Sequence, residues 1–349
     1  MKRILAILLC IFAFNHTCNA ISAQSYIVMD MDSKQFLSGT NINDKHLIAS
    51  ISKIMTCIIA IEKGDLNIIV TVDKDILKAV GSSIYIEIGE KITLKDLLYG
   101  MMMRSGNDAA IMIAKTISGS MDNFVSLMNE YAKKLGMKNT IFYNSHGLEE
   151  KNGNGNISTA YDMAILTSYA MKNKIFKKIF STKEYTAKSD KKTYKWYSKN
   201  KLLKYDYING GKTGYTIKAK RTLVTTAKIN DINVVVVTLN DSNDWQDHIS
   251  LYNYVSKMYK KISIVNKKDF EVIDDTIFAN DHLYIKKNIY VTLKKSEENE
   301  LKIKYYLVKK DSYNNNEKVG YVNVYLKNKI INSEPIYVKL KKKRNNLFH

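Results

Sequence analysis

Ala49-Ser50-Ile51-Ser52-Lys53-Ile54-Met55-Thr56-Cys57-Ile58-Ile59-Ala60-Ile61 is the stretch on which the fold turns. Its residues Ile51, Ile54, Met55, Ile58, Ile59 and Ile61 recur mainly at three- and four-residue spacing, and Gly64 follows as a stop, which predicts a buried helix over residues 50–61. Upstream, the β-rich Tyr26-Ile27-Val28-Met29, a turn at Asp32-Ser33-Lys34 and a second run at Gln35-Phe36-Leu37 predict a hairpin. Downstream, residues 93–98, 108–117 and 121–135 continue a helical block punctuated by Gly100, Gly106, Gly119 and Gly136. A further helix is expected over residues 159–171, where Ser158 or Thr159 with Asp162 resembles a capping box. Residues 222–227 and 233–239 then read as β-branched strands, and 248–259 returns to helical spacing. Strands at both ends with helices between imply one α/β domain whose sheet joins its two chain ends.

From about residue 266 the pattern changes to short β-like runs at 289–293, 301–308, 319–325 and 335–340, separated by Lys/Asn/Glu-rich turns, which predicts a small all-β domain. The expected organisation is a leader over 1–23, a first domain over 24–265 and a β-rich domain over 266–349. In the leader, Lys2 and Arg3 precede an apolar run from Ile4 to Phe14. A small-residue exit follows at Cys18-Asn19-Ala20 or Ile21-Ser22-Ala23, the pattern of a cleaved secretory signal. As a membrane span the run is short, roughly half of the ~20 residues a span needs. The mature chain is therefore expected outside the cytoplasm.

The chain has 349 residues, 45% of them apolar and 25% charged, too long and too apolar for a disordered protein or a minimal scaffold. Lys and Arg total 54 against 34 Asp and Glu, giving +20, but Arg appears only at Arg3, Arg104, Arg221 and Arg344. The charge is diffuse, and no nucleic-acid-binding signature accompanies it, so nucleic acid is not expected as a partner. Anionic wall polymers or an anionic membrane surface suit a lysine-rich exported protein equally well, and composition alone does not choose between them. Of three cysteines, Cys10 and Cys18 fall in the leader, leaving Cys57 as a small buried hydrophobe and no internal disulfide. The histidines are scattered without ligand spacing, so neither a metal nor any other cofactor is expected.

Three short motifs carry the chemistry. In Ser50-Ile51-Ser52-Lys53 a serine and a lysine three apart share a helix face, so the amine can reach the hydroxyl. A lysine serves as base only if its pKa is lowered, which desolvation, a helix N-terminus and a second cation all do. Alone the motif is weak, because serine is a common helix cap. Ser105-Gly106-Asn107 offers a hydroxyl for proton relay and an amide for a peptide-like substrate, yet in isolation it is a turn. Lys212-Thr213-Gly214 sets a cation, a hydroxyl and a residue without a side chain along a strand edge, where a substrate backbone can approach closely.

Together, in the order S-x-x-K, S-x-N, K-T-G and roughly 50 and 100 residues apart, the three are far more specific than any one. The chain resembles the penicillin-interacting serine acyl-transferases, and among them the low-molecular-mass D-alanyl-D-alanine carboxypeptidases. The likeness extends to Asp96-Leu97-Leu98-Tyr99-Gly100, His146-Gly147-Leu148, Ser158-Thr159-Ala160-Tyr161-Asp162-Met163-Ala164 and Lys212-Thr213-Gly214-Tyr215-Thr216, and covers about residues 25–265. It implies an α/β fold of the penicillin-binding transpeptidase/β-lactamase-like kind, an antiparallel sheet with a helical block, followed by the family's small all-β domain. It implies hydrolysis of the terminal D-Ala-D-Ala bond of peptidoglycan stem peptides through a serine acyl-enzyme, with β-lactams as inhibitors. The same resemblance makes Ser50 the nucleophile and Lys53 its base, with Ser105 and Lys212 relaying the proton to the leaving D-alanine. Asn107 would hold the substrate amide, Thr213 would meet the terminal carboxylate, and Gly214 would leave room for the substrate. The backbone N–H groups of Ser50 and Tyr215 would form the oxyanion hole.

The chain also departs from the family pattern. Ala219 is followed by Lys220 and Arg221 where the family has glycine, and these cations either assist the substrate carboxylate or stand solvated. Ser145 replaces a proline before His146, read as loop drift. The closing Lys341-Lys342-Lys343-Arg344-Asn345-Asn346-Leu347-Phe348-His349 is too short for an amphipathic anchor, so any membrane association is expected to be electrostatic and weak. A class A-like β-lactamase is the nearest rival, since Glu150-Lys151-Asn152-Gly153-Asn154 matches its Glu-x-x-x-Asn element by letter, but in a Gly/Asn-rich loop. A non-catalytic binder of muropeptides or β-lactams would keep the fold and lose a motif, and all three motifs are intact. Transpeptidase or endopeptidase action uses the same residues.

Overall fold

The computed structural model describes residues 21–150, 153–272, 278 and 282–340. Residues 1–20 of the expected leader over 1–23, and the lysine-rich residues 341–349, lie outside the described residues. A five-stranded antiparallel sheet organises the first part, in the spatial order Phe36–Thr40, Ser25–Asp30, Ile232–Asp241, Lys220–Ile229, Ile208–Thr216. Ser25–Asp30 pairs with Ile232–Asp241, the last strand of this sheet along the chain, Ser25 opposite Leu239 through Asp30 opposite Val234, so the sheet does join the two ends of the first α/β unit. Seven α-helices accompany it among the described residues: α1 Lys53–Lys63, α2 Leu94–Arg104, α3 Asn107–Ser118, α4 Met121–Leu135, α5 Ala160–Ala170, α6 Lys174–Phe180 and α7 Asp244–Met258.

Strand alternation splits the core in two. Ile27, Met29, Val224, Val235, Val237 and Leu239 point into the larger core with α1 to α6, whereas Val28, Leu223, Val234 and Val236 point into a second core with Leu251, Tyr252 and Val255 of α7. A sheet covered on both faces explains why Val234 to Val237 is unbroken valine and not an apolar–polar alternation. Inside the larger core α1 is surrounded, and every residue from Lys53 to Ala60 is buried.

The local signals hold with small shifts. The helix expected from Ser50 begins as a 3-10 turn over Ala49–Ser52 before becoming α at Lys53, and Gly64 ends it. Thr159 is the cap of α5, its hydroxyl accepting from the Asp162 N–H. Helix α7 starts at Asp244, a turn before the apolar spacing begins. Tyr259, expected as the last residue of that helix, instead opens a strand, Tyr259–Val265, that pairs with Ile289–Lys294. Four strands, His282–Ile285, Lys329–Lys339, Lys318–Leu326 and Leu301–Leu307, form the tail sheet in that spatial order around its own apolar cluster. That region meets the first part at the Ser25–Asp30 and Phe36–Thr40 side. Thr292 donates to Asp30 at 2.7 Å and the Tyr259 hydroxyl to the Leu37 carbonyl at 2.5 Å. The Ile208–Thr216 strand forms the opposite edge of the sheet.

Candidate active site

Ser50 sits on a turn that its neighbours hold in shape. Ala49 has φ +48°, in the left-handed region that alanine seldom occupies. Gly147 packs directly on it: a Cβ there would stand 1.9 Å from the Ala49 carbonyl oxygen. From the other side the Ile208–Thr216 edge strand closes in, and a Cβ on Gly214 would lie 2.9 Å from the Ser50 nitrogen and 2.4 Å from Thr222 Oγ1. Thr222 in turn donates to the Ile48 carbonyl at 3.0 Å. The two glycines therefore permit a loop and a strand to clamp the Ala49–Ser52 turn at backbone distance.

Lys53 is 0% exposed and aimed inward at three oxygens. Its Nζ lies 3.0 Å from Ser50 Oγ, 2.7 Å from Asn107 Oδ1 and 2.6 Å from the His146 carbonyl oxygen. Asn107 opens α3 and is fixed by its own bonds, Nδ2 donating to the Val80 carbonyl at 2.5 Å and the backbone N–H to Ser82 at 2.7 Å. Ser105 caps the C-terminus of α2 with φ +66°. Lys212, 1% exposed, donates from the edge strand to Ser105 Oγ at 3.0 Å and to the Thr213 carbonyl at 2.6 Å. Tyr215 follows on the same strand and is 62% exposed. The fold thus gathers every sequence-predicted site residue around the junction of the Ala49–Ser52 turn, the α2–α3 turn and one sheet edge.

Burial lowers the pKa of both lysines of the site. Burial, then the charges of Lys212 and Lys199, hold Lys53 well below the ordinary lysine range, and Asp108 only partly opposes them. Lys212 is pulled down to about 7, again by burial first and by Lys199 second. Burial and the neighbouring Lys53 push His146 down to about 3, so its ring is neutral and Nδ1 accepts from the Leu148 N–H.

Several supporting residues escaped the sequence reading. Lys199 donates to Ser82 Oγ at 3.0 Å and is the third lysine acting on the site's charge, but nothing in Ser198-Lys199-Asn200 marks it. Asp108 is a second such residue. It is buried and accepts from the Ser83 hydroxyl and from the N–H groups of Ile84, Tyr85 and Ile86, pinning that loop to the start of α3. Ser145 is not drift: fully buried, it donates to the Ala110 carbonyl of α3 at 3.0 Å while its own carbonyl accepts from Thr56 of α1. Of the two extra cations, Arg221 is held by Asp244 at 2.8 Å and lies over the Trp245 ring. Glu150 accepts from Asn144 Nδ2 at 2.6 Å and closes a turn with Asn154, so its carboxylate is engaged in loop structure.

Comparison with known proteins follows the same lines. Residues 13–243 match the family model for D-alanyl-D-alanine carboxypeptidase, and 257–344 match that for the penicillin-binding protein 5 C-terminal domain. The carboxypeptidase DacF of Bacillus subtilis is 36% identical over 230 residues, 64% of this chain and 58% of its own length. DacB2 of Mycobacterium tuberculosis is 34% identical over 62% of this chain and 74% of its own. The crystal structure of penicillin binding protein 5 from Haemophilus influenzae superposes with a TM-score of 0.77 at 26% identity, covering 92% of this chain and 97% of that one. The chain thus spans somewhat under two thirds of DacF and nearly the whole of the solved Haemophilus protein. With its catalytic motifs and its β tail both matched, the chain belongs to the D-alanyl-D-alanine carboxypeptidase family.

Proposed function

We propose that this chain is an exported serine D,D-carboxypeptidase that hydrolyses the terminal D-Ala-D-Ala bond of peptidoglycan stem peptides and is acylated by β-lactams. The observation that carries it is the Lys53 amine, fully buried, held well below the ordinary lysine range and 3.0 Å from Ser50 Oγ. A neutral amine has two protons and one lone pair. The two protons go to Asn107 Oδ1 and the His146 carbonyl, which leaves the lone pair for the Ser50 hydroxyl proton.

Ser50 Oγ then attacks the carbonyl carbon of the penultimate D-alanine as its proton passes to Lys53. The carbonyl π electrons move to oxygen, which the Ser50 and Tyr215 N–H groups stabilise. Collapse breaks the C–N bond, and the proton that Lys53 took from Ser50 is relayed through Ser105 and Lys212 to the leaving amine, which returns Lys53 to its neutral form. Thr213 meets the terminal carboxylate, and Gly214 keeps the strand bare where the substrate backbone lies. Water hydrolyses the ester. The division into a catalytic unit of 24–265 and a tail of 266–349, and a weak electrostatic attraction of the basic chain to a membrane or to anionic wall polymers, belong to the same reading. The Glu150 contacts speak against the β-lactamase alternative.

The test is intact-mass analysis after incubation with a penicillin, beside D-alanine release from a peptide ending in D-Ala-D-Ala, with Ser50→Ala as control. An adduct on Ser50 together with D-alanine release is expected. Fast penicillin turnover without D-alanine release would establish a β-lactamase, and absence of any adduct a binder.

A further inference from the structure

A second buried charge cluster lies beyond the catalytic groups, where the chain's first described residues cross the start of α7. Asp241, Asp244 and Asp247 are 2%, 1% and 4% exposed. Asp244 has a cation, Arg221, and also accepts the Trp245 N–H. Asp247, in the first turn of α7, gains from the helix N-terminus and accepts at Oδ2 the N–H groups of Ser22 at 2.6 Å and Ala23 at 3.2 Å. Asp241 has neither. Its Oδ1 accepts the Asn243 N–H, and its buried Oδ2 has no hydrogen-bond partner among the described residues.

The Ser22 hydroxyl exposes the deficit. It lies 2.8 Å from Asp241 Oδ1 and 2.9 Å from Asp247 Oδ2, but a hydroxyl has one proton and cannot donate to both. Burial first and the Asp247 charge last push the Asp241 carboxyl up against the hydrogen bonds of Asn243, Ser22 and Thr238, none of which brings a positive charge. Lys220 lines the same depression without an ion pair to Asp241. No group of three acidic, histidine or cysteine side chains among the described residues is arranged to hold a metal. One residue before Ser22, about 3.8 Å along the chain, is Ile21, whose side chain already packs on the α7 core.

We propose that the mature chain begins at Ile21, and that the α-ammonium freed by cleavage of the Ala20–Ile21 bond is the missing cation of the Asp241/Asp247 pocket. Hydrolysis by a leader-removing peptidase adds water across that bond: the carboxylate leaves with residues 1–20 and the amine, protonated, stays. Cleavage at the alternative exit, after Ala23, would instead remove Ser22 and buried Ala23 and strip Asp247 of three donors. Cys18-Asn19-Ala20 supplies the small residues that such a peptidase reads. The inference rests on the export reading above, but not on any catalytic assignment.

The test has two arms. The full chain is exported from a bacterial host and its N-terminus read by intact mass; a start at Ile21 is expected, and a start at Gln24 or an uncleaved leader overturns the proposal. Separately, protein beginning at Ile21 is prepared with a free and with an acetylated α-amine and melted. Acetylation is expected to lower Tm by about 2–4 °C, and Asp241→Asn to abolish that difference. Equal melting of the free and acetylated wild-type proteins overturns it, whatever the fate of the variant. Neither arm reads D-alanine release, so this inference and the carboxypeptidase reading can fail separately.

Discussion

Lysine dominates this chain, and two of its regions use it in opposite ways. At the catalytic junction Lys53 and Lys212 are fully enclosed, with no carboxylate within ion-pair distance among the described residues, and are pushed toward the neutral amine. In the tail, Lys310 pairs with Glu317, Lys327 with Glu297, and Lys286 and Lys304 lie over Tyr337 and Tyr325, all at the surface. One side chain is stripped of water in the first setting and left as a solvated cation in the second. Net charge therefore says little about function here; desolvation decides it.

The largest expected contrast is chemical. Ser50→Ala should reduce D-alanine release on the order of 10⁴-fold or more, and Lys53→Met by about 10³-fold, while both proteins keep a cooperative thermal melt. A Lys53→Met enzyme with undiminished penicillin acylation would erase the distinction between the two lysine populations. Acylation should also fall as pH drops through the lowered Lys53 pKa, because only the neutral amine accepts the proton.

Lys212 gives a second, thermodynamic contrast. Between about 7 and its ordinary 10.5 the unfolded chain binds a proton that the folded chain does not, so stability should rise with pH across that window. Lys212→Met should reduce this rise in a series of pH-dependent melts, leaving the part that the lowered Lys53 contributes, and should lower turnover by about 10²-fold. A rise undiminished by the substitution would put its origin elsewhere.

Gly214→Ala probes the clamp itself. The new methyl meets Thr222 Oγ1 and the Ser50 nitrogen, so a loss of about 1–3 kcal/mol by denaturant melt and a slower acylation are expected together. The smallest effect belongs to the tail: Lys310→Ala should leave Tm within about 1 °C and D-alanine release unchanged, as surface pairs contribute little. A larger loss would mean that the tail's charges are more than solvated partners.

Much of this could be read from the chain because the signals are local. Helix α1 announces itself by spacing and by Gly64, and the three motifs by residue type and order. What escaped reading depends on contacts between distant segments. Ser145 looked like drift because its use is to bridge α1 and α3, and Lys199 looked like any lysine because its effect on Lys53 arises only in space. The Tyr259–Val265 strand was hidden because its partner, Ile289–Lys294, lies beyond a long connection.

The sequence by itself determined the elements, the order of the motifs and the family, since periodicity, caps and residue chemistry are properties of neighbours along the chain. Tertiary structure alone decided that Lys53 is sealed from water, that Gly147 and Gly214 press the Ala49–Ser52 turn from two sides, and that Asp241 is buried beside Ser22. The reason is physical: a charge's behaviour depends on the water and partners around it, and those are set only when segments far apart in sequence close over it.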